Sequence, residues 1–401
     1  MTKGFKEVTM KAIVDGTILP VTSKKIEDGV ILIEHGKLKS LGKGITVPKG
    51  AEIISARGKF ILPGLIDAHT HLGISEVGIR EEGEDNNEYP EPVNPQLRAL
   101  DGINPQDKGF EYARCGGVTT VAVAPGSANP IGGVVTAIKT NGKVVDDMVV
   151  KEQVGIKAAF GENPKRVGHE QKRTPWTRMS TAALLRSALV KAQNYVKDME
   201  WADRKKEKMP DRDLASESLI PVLKKELPLR IHAHRADDIV TAVRVAREFA
   251  VDIVIEHGTE AHKIADWLGS LNIPVVTGPA LGMPSKIETQ ALTFKALRIL
   301  KDAGILFAIM TDHPVVGINN LLLCAIMGIR EGLDEQSAIE AVTINPAKIL
   351  GLADRLGSLE TGKDADIIIF SGDPFDVRSR VVKTLINGEI VFDADKNETP
   401  F

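Results

Sequence analysis

The hydrophobic pattern of the chain changes twice along its length. Over about the first 55 and the last 45 residues, apolar and polar positions alternate between glycine turns, as in KAIVDGTILP and VVKTLINGEIVF. Such alternation predicts antiparallel strands. Because each end is too short to fold alone, we expect one small, β-sandwich-like domain built from both termini. We place its two parts at residues 1–60 and 356–401.

The central residues, 61–355, have a different pattern. Short runs that are apolar throughout, such as VDIVIEHG and ILFAIMTDHP, alternate with helical patterns such as ADDIVTAVRVAREFA. Non-alternating strands separated by helices are typical of parallel strands covered on both faces. Seven or eight such units favour an α/β fold of the (β/α)8 TIM barrel type over an open sheet.

Three segments fit the barrel pattern poorly. Residues 76–108 are acidic and contain prolines, and they predict a long loop that leaves the first barrel strand beside His71. Residues 163–216 are rich in Lys and Arg and contain a predicted helix within 181–208. Residues 126–133, GSANPIGG, look like a phosphate-binding loop but lack its Lys-Ser/Thr pair, so we interpret them as a tight β-to-α connection.

Composition and charge narrow the class of partner. The 401 residues include 51 basic and 54 acidic ones with a net charge of -3, which provides no field for nucleic acid or an anionic membrane. We therefore expect a small-molecule partner. No apolar run approaches the roughly 18 residues of a membrane span. The start, MTKGFKEVTMKAIV, lacks the apolar core of a signal peptide, so a cytoplasmic location is expected.

The cysteines do not suggest a metal site. Cys115 and Cys324 have neither disulfide-framework nor thiolate-zinc spacing. Any metal is therefore expected to bind through nitrogen and oxygen.

Histidines and carboxylates end the apolar runs of the barrel. They are His69, His71, Glu162, His232, His234, His257, Asp312 and His313. Catalytic groups of parallel barrels come from the carboxyl ends of the strands, and strand residues two apart point to the same face. Each H-x-H pair can therefore converge on one ion. Imidazole and carboxylate donors suit zinc, and also manganese, iron or cobalt, in an open catalytic site.

Six motifs in a fixed order carry a resemblance to a known family. They are GLIDAHTHLG, IHAHRADDI, IEHGTE, TDHPV, TINPAKILGL and GSLETGKDADIIIF. Together they resemble the amidohydrolase superfamily, in particular its imidazolonepropionase-like branch, over essentially the whole chain. The resemblance implies a distorted (β/α)8 barrel, one or two divalent metals and hydrolysis of C–N bonds. It also makes a homo-oligomer an expectation, with no interface identified.

The resemblance also implies roles for individual residues. The implied metal ligands are His69, His71, His232, His257 and Asp312. Asp312 would also act as the catalytic proton shuttle. His234 stays open between a substrate contact and a metal ligand.

The ligand that would bridge two metals is ambiguous in the sequence. Many members of the superfamily use a carboxylated lysine, and Lys157 lies roughly where one is expected. Some members use a glutamate, and Glu162 ends the same apolar run. The two residues have opposite strand parity, so only one is expected to face the metals. We favour Glu162 because it is nearer the carboxyl end, with Lys157 as the alternative.

Substrate contacts are harder to identify from the pattern. Arg178 and Arg235 are candidates because an arginine binds a carboxylate through two hydrogen bonds. His234 and His313 are further candidates. Asp67, two residues before His69, is expected either to orient an imidazole or to pack against the site.

These observations predict a metal-dependent amidohydrolase that cleaves a C–N bond of a cyclic or small amide. Metal-activated water would be the nucleophile, with zinc as the simplest choice of metal. A deaminase or a dipeptidase of the same superfamily is the alternative. A non-catalytic scaffold is a remote third possibility, because every implied ligand position carries a suitable residue.

Overall fold

The computed structural model describes residues 10–397, which form two β-sheets. The strands of the terminal sheet are β1 Lys11–Ile18, β2 Ile26–Glu34, β3 Lys37–Lys43, β4 Glu52–Ser55, β5 Phe60–Pro63, β14 Ile367–Phe370, β15 Val381–Ile386 and β16 Glu389–Asp393. The strands of the barrel are β6 Leu65–Thr70, β7 Val118–Val123, β8 Ile131–Lys139, β9 Val149–Ala159, β10 Leu229–Ala233, β11 Ile253–His257, β12 Val275–Thr277 and β13 Phe307–Ile309.

Eleven α-helices lie within the described residues and belong mainly to the barrel. They are α1 Gly109–Cys115, α2 Val145–Met148, α3 Glu162–Glu170, α4 Arg178–Lys205, α5 Leu214–Leu223, α6 Ala236–Phe249, α7 Ala265–Ser270, α8 Lys295–Asp302, α9 Leu321–Arg330, α10 Glu335–Glu340 and α11 Ile344–Leu350. The predicted helix at 181–208 corresponds to α4. Within residues 10–397, no helix is both long and apolar enough to cross a membrane.

The terminal sheet joins the two ends of the chain, as the sequence predicted. Its strand order is β16-β15-β14-β5-β1-β2-β3, and β4 also pairs with β1. The joint is the antiparallel pair of β14 and β5, in which Ile367 lies opposite Pro63. The pairs of β1 with β4 and β5 are parallel, because those strands return to β1 through connecting loops rather than tight hairpins. The exact domain boundaries stay a prediction, although β5 belongs to this sheet and β6 to the barrel.

The barrel departs from simple β/α repetition at one strand. Its order runs from β6 to β13, and β8 is antiparallel to both β7 and β9. Residues 124–130 therefore join two antiparallel strands, and the expected β-to-α connection at 126–133 is wrong. No helix is needed there, because antiparallel neighbours can be joined by a short turn. This reversed strand is what distorts the (β/α)8 pattern.

A buried lysine links the barrel to the terminal sheet through ion pairs. Lys139 ends β8, and its Nζ lies 2.6 Å from Asp366 Oδ2 and 3.2 Å from Asp364 Oδ2. Both aspartates belong to the GKDADI motif, which leads into β14, and all three residues are buried. Removing one partner of a buried ion pair costs about 3–5 kcal/mol. The motif therefore holds the two parts of the molecule in register.

Candidate metal centre

Six side chains gather at the carboxyl ends of the barrel strands and form two groups. The first contains His69, His71 and Asp312, and the second contains His232, His234 and His257. Within each group the potential ligand atoms lie within 4.8 Å of one another. The ring centroids of His69 and His257 are 5.4 Å apart, so the groups are adjacent. The structure thus brings together the implied histidine ligands and Asp312.

Two of these residues have an unusual backbone. His257 and Asp312 have φ values of 68° and 53°, in the left-handed region that few residues other than glycine adopt. At the end of β11 this conformation breaks the strand alternation, so consecutive residues Glu256 and His257 both face the barrel interior. Strained backbone of this kind costs about 1–3 kcal/mol and clusters at functional sites.

Hydrogen bonds at Nδ1 orient three of the imidazoles. His71 Nδ1 donates to Ala124 O at 2.7 Å, and His257 Nδ1 donates to Gly278 O at 3.0 Å. Because a carbonyl oxygen can only accept, the neutral form of each ring carries its proton on Nδ1 and leaves the Nε2 lone pair free. His234 Nδ1 lies 2.7 Å from Thr259 Oγ1, and its buried Nε2 has no hydrogen-bond partner within residues 10–397. This arrangement is typical of histidines that bind a metal through Nε2.

The three histidines of the second group are uncharged at neutral pH because they are buried. Burial, together with the nearby Lys286 ammonium, lowers the pKa of His234 to about 4. Burial also places the pKa values of His232 and His257 well below their usual range. Neutral imidazole is the form that binds metals.

Asp312 lies between the histidines of the first group. Its Oδ1 is 3.2 Å from His69 Nε2 and 3.4 Å from His71 Nε2. Burial alone would raise the pKa of Asp312, but its electrostatic interaction with His257 and its contacts with His69 and His71 outweigh it. The pKa is therefore held well below its usual range, and Asp312 is a carboxylate at neutral pH.

The structure places the two candidates for the bridging ligand, Glu162 and Lys157, in different surroundings. Strand β9 ends at Ala159, and Glu162 is the first residue of α3, so the expectation that Glu162 ends the strand is wrong. The Glu162 N–H donates to Glu288 Oε2 at 2.8 Å, and Glu162 belongs to neither donor group. Lys157 is fully buried, and its Nζ lies 3.4 Å from His69 Nε2. Burial lowers the pKa of Lys157 despite its attraction to Glu256.

Asp67 closes the barrel below the donor groups. Its Oδ2 accepts hydrogen bonds from Thr311 N and Oγ1 at 3.0 and 2.6 Å, which links β6 to the segment after β13. Its Oδ1 accepts from His69 N at 3.1 Å. Burial raises the pKa of Asp67 to about 6. Of the two expected roles, the contacts support packing beside the site rather than orientation of an imidazole ring.

A cavity of about 380 Å³ opens above the donor groups. Asn86 and Asn87, from the long loop at 76–108, line it together with Ser127. The loop is tied down there, because Gly126 N donates to Asn86 O and Ala128 N donates to Asn87 Oδ1. This segment forms one wall of the cavity.

The predicted arginine contacts do not line this cavity. Arg178 Nε donates to Asp238 Oδ1 at 2.9 Å, and Arg235 pairs with the exposed Asp237. Each arginine is paired with a nearby aspartate outside the cavity lining, and substrate contact stays a prediction for both. His313 is also absent from the lining. Its Nδ1 accepts a hydrogen bond from Ile318 N.

The cationic side chains of the lining, besides Lys157, are Arg166 and Lys286. Lys286 Nζ donates to Asn163 Oδ1 at 3.0 Å and lies 2.9 Å from Glu288 Oε1. Sequence reasoning missed both cations, because they belong to α3 and to the loop after β12, where no strand-end pattern marks them. It also missed Glu256, although that charged residue interrupts an apolar run directly before His257.

These donor sets fit a divalent metal. Both groups contain imidazoles, and the first also contains the Asp312 carboxylate. Nitrogen and oxygen donors of these kinds are the ligands of catalytic zinc and related ions. The orphaned Nε2 of His234 is a further donor without another partner in the described part of the chain.

An eight-stranded TIM-type barrel with such donors at its carboxyl end is the architecture of a metal-dependent hydrolase. The family model described as "Amidohydrolase family" matches residues 60–391. The chain therefore belongs to the amidohydrolase family, which confirms the resemblance seen in its motifs, and it is a hydrolase of that superfamily.

Comparison with known proteins supports this assignment. The crystal structure of an amidohydrolase from Thermotoga maritima MSB8 is similar with a TM-score of 0.93 and 46% identity, over 95% of this chain and 99% of that one. "Amidohydrolase tasK" of Hapsidospora irregularis is 30% identical over 91% of this chain, which spans only 40% of that relative. A dihydroorotase of Geobacter metallireducens is 23% identical over 90% of this chain and 94% of its own length. An imidazolonepropionase of Thermoplasma volcanium is 24% identical over 92% of both.

Proposed function

We propose that this amidohydrolase opens a C–N bond of a cyclic or small amide and is imidazolonepropionase-like in the broad sense. The observation that carries the proposal is the pair of adjacent donor groups, His69/His71/Asp312 and His232/His234/His257, at the base of one cavity. Relatives named dihydroorotase and imidazolonepropionase support the same reaction class.

The metal is the second part of the proposal. His69, His71 and Asp312 would hold one divalent ion, most simply zinc, and His232 and His257 a second, with His234 beside them. A bound divalent ion would supply Lewis acidity toward the amide carbonyl and make water more acidic. Manganese, iron and cobalt share the same ligand preferences and are included in the test.

The chain's own residues move the proton. Asp312 is an ionised carboxylate whose Oδ1 faces both histidines of its group, and it lines the cavity. We assign to it the acceptance of a proton from the attacking water and its return to the leaving nitrogen. The neutral histidines of the second group leave this carboxylate as the base of the site.

A substrate panel tests the proposed reaction. Purified protein is assayed with five- and six-membered cyclic amides, dipeptides and amino-substituted heterocycles, with and without a chelator. We expect ring opening of a cyclic amide, measured by the loss of ultraviolet absorbance, and we expect chelation to abolish it and zinc to restore it. Ammonia release without ring opening would instead identify a deaminase. Cleavage of dipeptides alone would identify a dipeptidase. Protein that was purified without chelator, bound no metal ion and turned over none of the substrates even with added zinc would favour a scaffold.

We further propose that Lys286, with Arg166, faces an anionic group of the substrate. Both line the cavity, and the Lys286 side chain keeps 22% of its surface exposed there. A hydrogen bond to a charged group contributes about 1.5–3 kcal/mol. Lys286→Met is therefore expected to raise KM for a carboxylate-bearing substrate about 10- to 100-fold with a smaller change in kcat.

Arg235→Met is the matched control for this variant, because Arg235 is partly exposed, pairs with Asp237 and lies outside the cavity lining. We expect its KM to match the wild type. Steady-state kinetics on a carboxylate substrate and its neutral amide analogue measure both variants. An equal rise of KM for the two substrates in Lys286→Met would contradict the anion contact.

A further inference from the structure

A second cavity, of about 630 Å³, lies at the opposite rim of the barrel from the candidate metal centre. The residues that directly precede β10, β11, β12 and β13 all line it, and they are Pro228, Asp252, Pro274 and Leu306. These strands are parallel, so the cavity lies at their amino ends. Along β11, Ile253 in the lining is about 13 Å from His257, at about 3.3 Å per residue. The two cavities are therefore separate.

Most of the wall of this second cavity is apolar. Val243 and Ala246 of α6 are buried there, whereas Leu271, Ile273 and Ile349 are only half-buried. Covering apolar surface that water still reaches is favourable, so a ligand with an apolar body would gain free energy here. Binding sites for small molecules are typically cavities of about 300–1,000 Å³ with apolar walls and a few polar groups. This cavity fits that description in both size and lining.

The charged side chains of the lining are mainly cationic. Lys225, Arg247 and Lys348 come from three separate elements, the turn after α5, the last turn of α6 and the last turn of α11. Within residues 10–397, none of the three side chains forms an ion pair or a hydrogen bond. Asp252 is the single carboxylate that the described residues contribute to the lining. The cavity therefore carries an excess of positive charge.

Lys225 occupies a backbone position that favours glycine. It follows the C-cap residue of α5 and has φ of 59°, in the left-handed region. Glycine is the usual residue where a helix ends in this conformation, because it has no Cβ. The turn itself therefore does not require a lysine, and what the side chain adds is a cation at the edge of the cavity.

We propose that this cavity is a second binding site, for a small organic anion with an apolar body, in which Lys225, Arg247 and Lys348 attract the anionic group. The apolar walls would cover the body of the ligand. The unpaired positive charge would select an anion over an uncharged molecule of the same shape. The inference does not rest on the proposed reaction, because no described residue lines both cavities.

Fluorescence titration of the purified protein with anilinonaphthalene sulfonate, an aromatic body that carries one sulfonate, tests the site. Phenylnaphthylamine has nearly the same body without the charge and serves as the comparison ligand. We expect saturable binding of the sulfonate and weaker binding of the uncharged ligand. Arg247→Met combined with Lys348→Met should weaken sulfonate binding about 10-fold, since each partly exposed charge contact contributes a few-fold to affinity. Binding of the uncharged ligand should not change.

Lys225→Gly separates ligand binding from a purely structural role of the cations. Arg247 and Lys348 lie in the last turns of their helices, where a positive charge also interacts favourably with the helix dipole. Glycine suits the left-handed backbone at position 225, so the melting temperature of this variant should be maintained or raised. Its affinity for the sulfonate should nevertheless fall a few-fold.

Two controls locate the probe. Arg244→Met combined with Lys295→Met removes two exposed cations that lie outside both cavities and form no ion pair within residues 10–397, and it should keep wild-type affinity. Lys286→Met changes a cation of the active-site cavity and should also leave sulfonate binding unchanged. Circular dichroism and thermal unfolding show that each variant is folded.

Selective loss of sulfonate affinity in the Arg247/Lys348 variant and in Lys225→Gly, with both controls unchanged, would establish the site. Absence of saturable sulfonate binding in the wild type would overturn it, and so would wild-type affinity in the Arg247/Lys348 variant. An equal loss for the charged and the uncharged ligand would contradict the anion contact. Loss of sulfonate binding in Lys286→Met would place the probe in the active-site cavity and would also overturn the proposal.

Discussion

Replacement of Asp312 by asparagine is expected to abolish turnover while leaving most of the bound metal in place. The amide oxygen can still act as a donor beside His69 and His71, but the side chain can no longer accept a proton. Asparagine tolerates the left-handed backbone of this position, where φ is 53°, so the local fold should persist. General acid–base groups contribute about 10²- to 10⁴-fold to rates, and we expect kcat to fall by at least that factor.

Steady-state kinetics and elemental analysis of the same preparation measure both effects. Asp237→Asn is the control, because Asp237 is an exposed aspartate that pairs with Arg235 and does not line the cavity. It should keep wild-type kcat. Turnover retained in Asp312→Asn would remove Asp312 from the proposed proton transfer, and loss of all metal would assign it a purely ligating role.

Replacement of Lys157 by methionine is expected to weaken metal binding and to suppress turnover. Lys157 is fully buried, lines the cavity and lies 3.4 Å from His69 Nε2. Burial lowers the pKa of this lysine, which favours the neutral amine that carbon dioxide can carboxylate. We propose that the carboxylated side chain is the bridging donor, and that its loss reduces metal affinity by at least about 10- to 100-fold.

Glu162→Gln is the matched comparison for Lys157→Met. Glu162 begins α3, and its contact with Glu288 is made through the backbone N–H, which the substitution leaves intact. Metal content and kcat should therefore stay near wild type. Chelator competition on both proteins decides between the two residues, and the reverse pattern of losses would restore Glu162 as the bridging ligand.

The parts of the fold that the sequence predicted follow from local patterns. The alternating pattern at both ends of the chain predicted one sheet built from both termini, and the fully apolar central runs predicted a barrel. A strand buried on one face alternates apolar and polar residues, whereas a strand buried on both faces is apolar throughout. Histidines at four separate strand ends predicted a metal centre for a similar reason, since parallel strands bring their carboxyl ends to one rim.

Errors arose where long-range contacts or backbone geometry decide the outcome. The reversed strand β8 is mostly apolar like its neighbours, so nothing in its own composition reveals its direction. Glu162 was placed at the strand end by counting along an apolar run, whereas the strand stops at Ala159 and Gly161 turns the chain with φ of 88°. Arg178 and Arg235 were chosen for their charge; each is paired with a neighbouring aspartate, and their contact with substrate stays a prediction.

The sequence alone determined the class of fold, the family and the residue types of the candidate metal centre, because periodicity and ordered motifs are local properties. The tertiary structure decided which side chains meet. It placed Lys157 rather than Glu162 beside His69, brought Lys286 into the cavity, and set Glu256 against His69 Nδ1. These contacts join residues far apart in the chain, so only the closed barrel defines their distances.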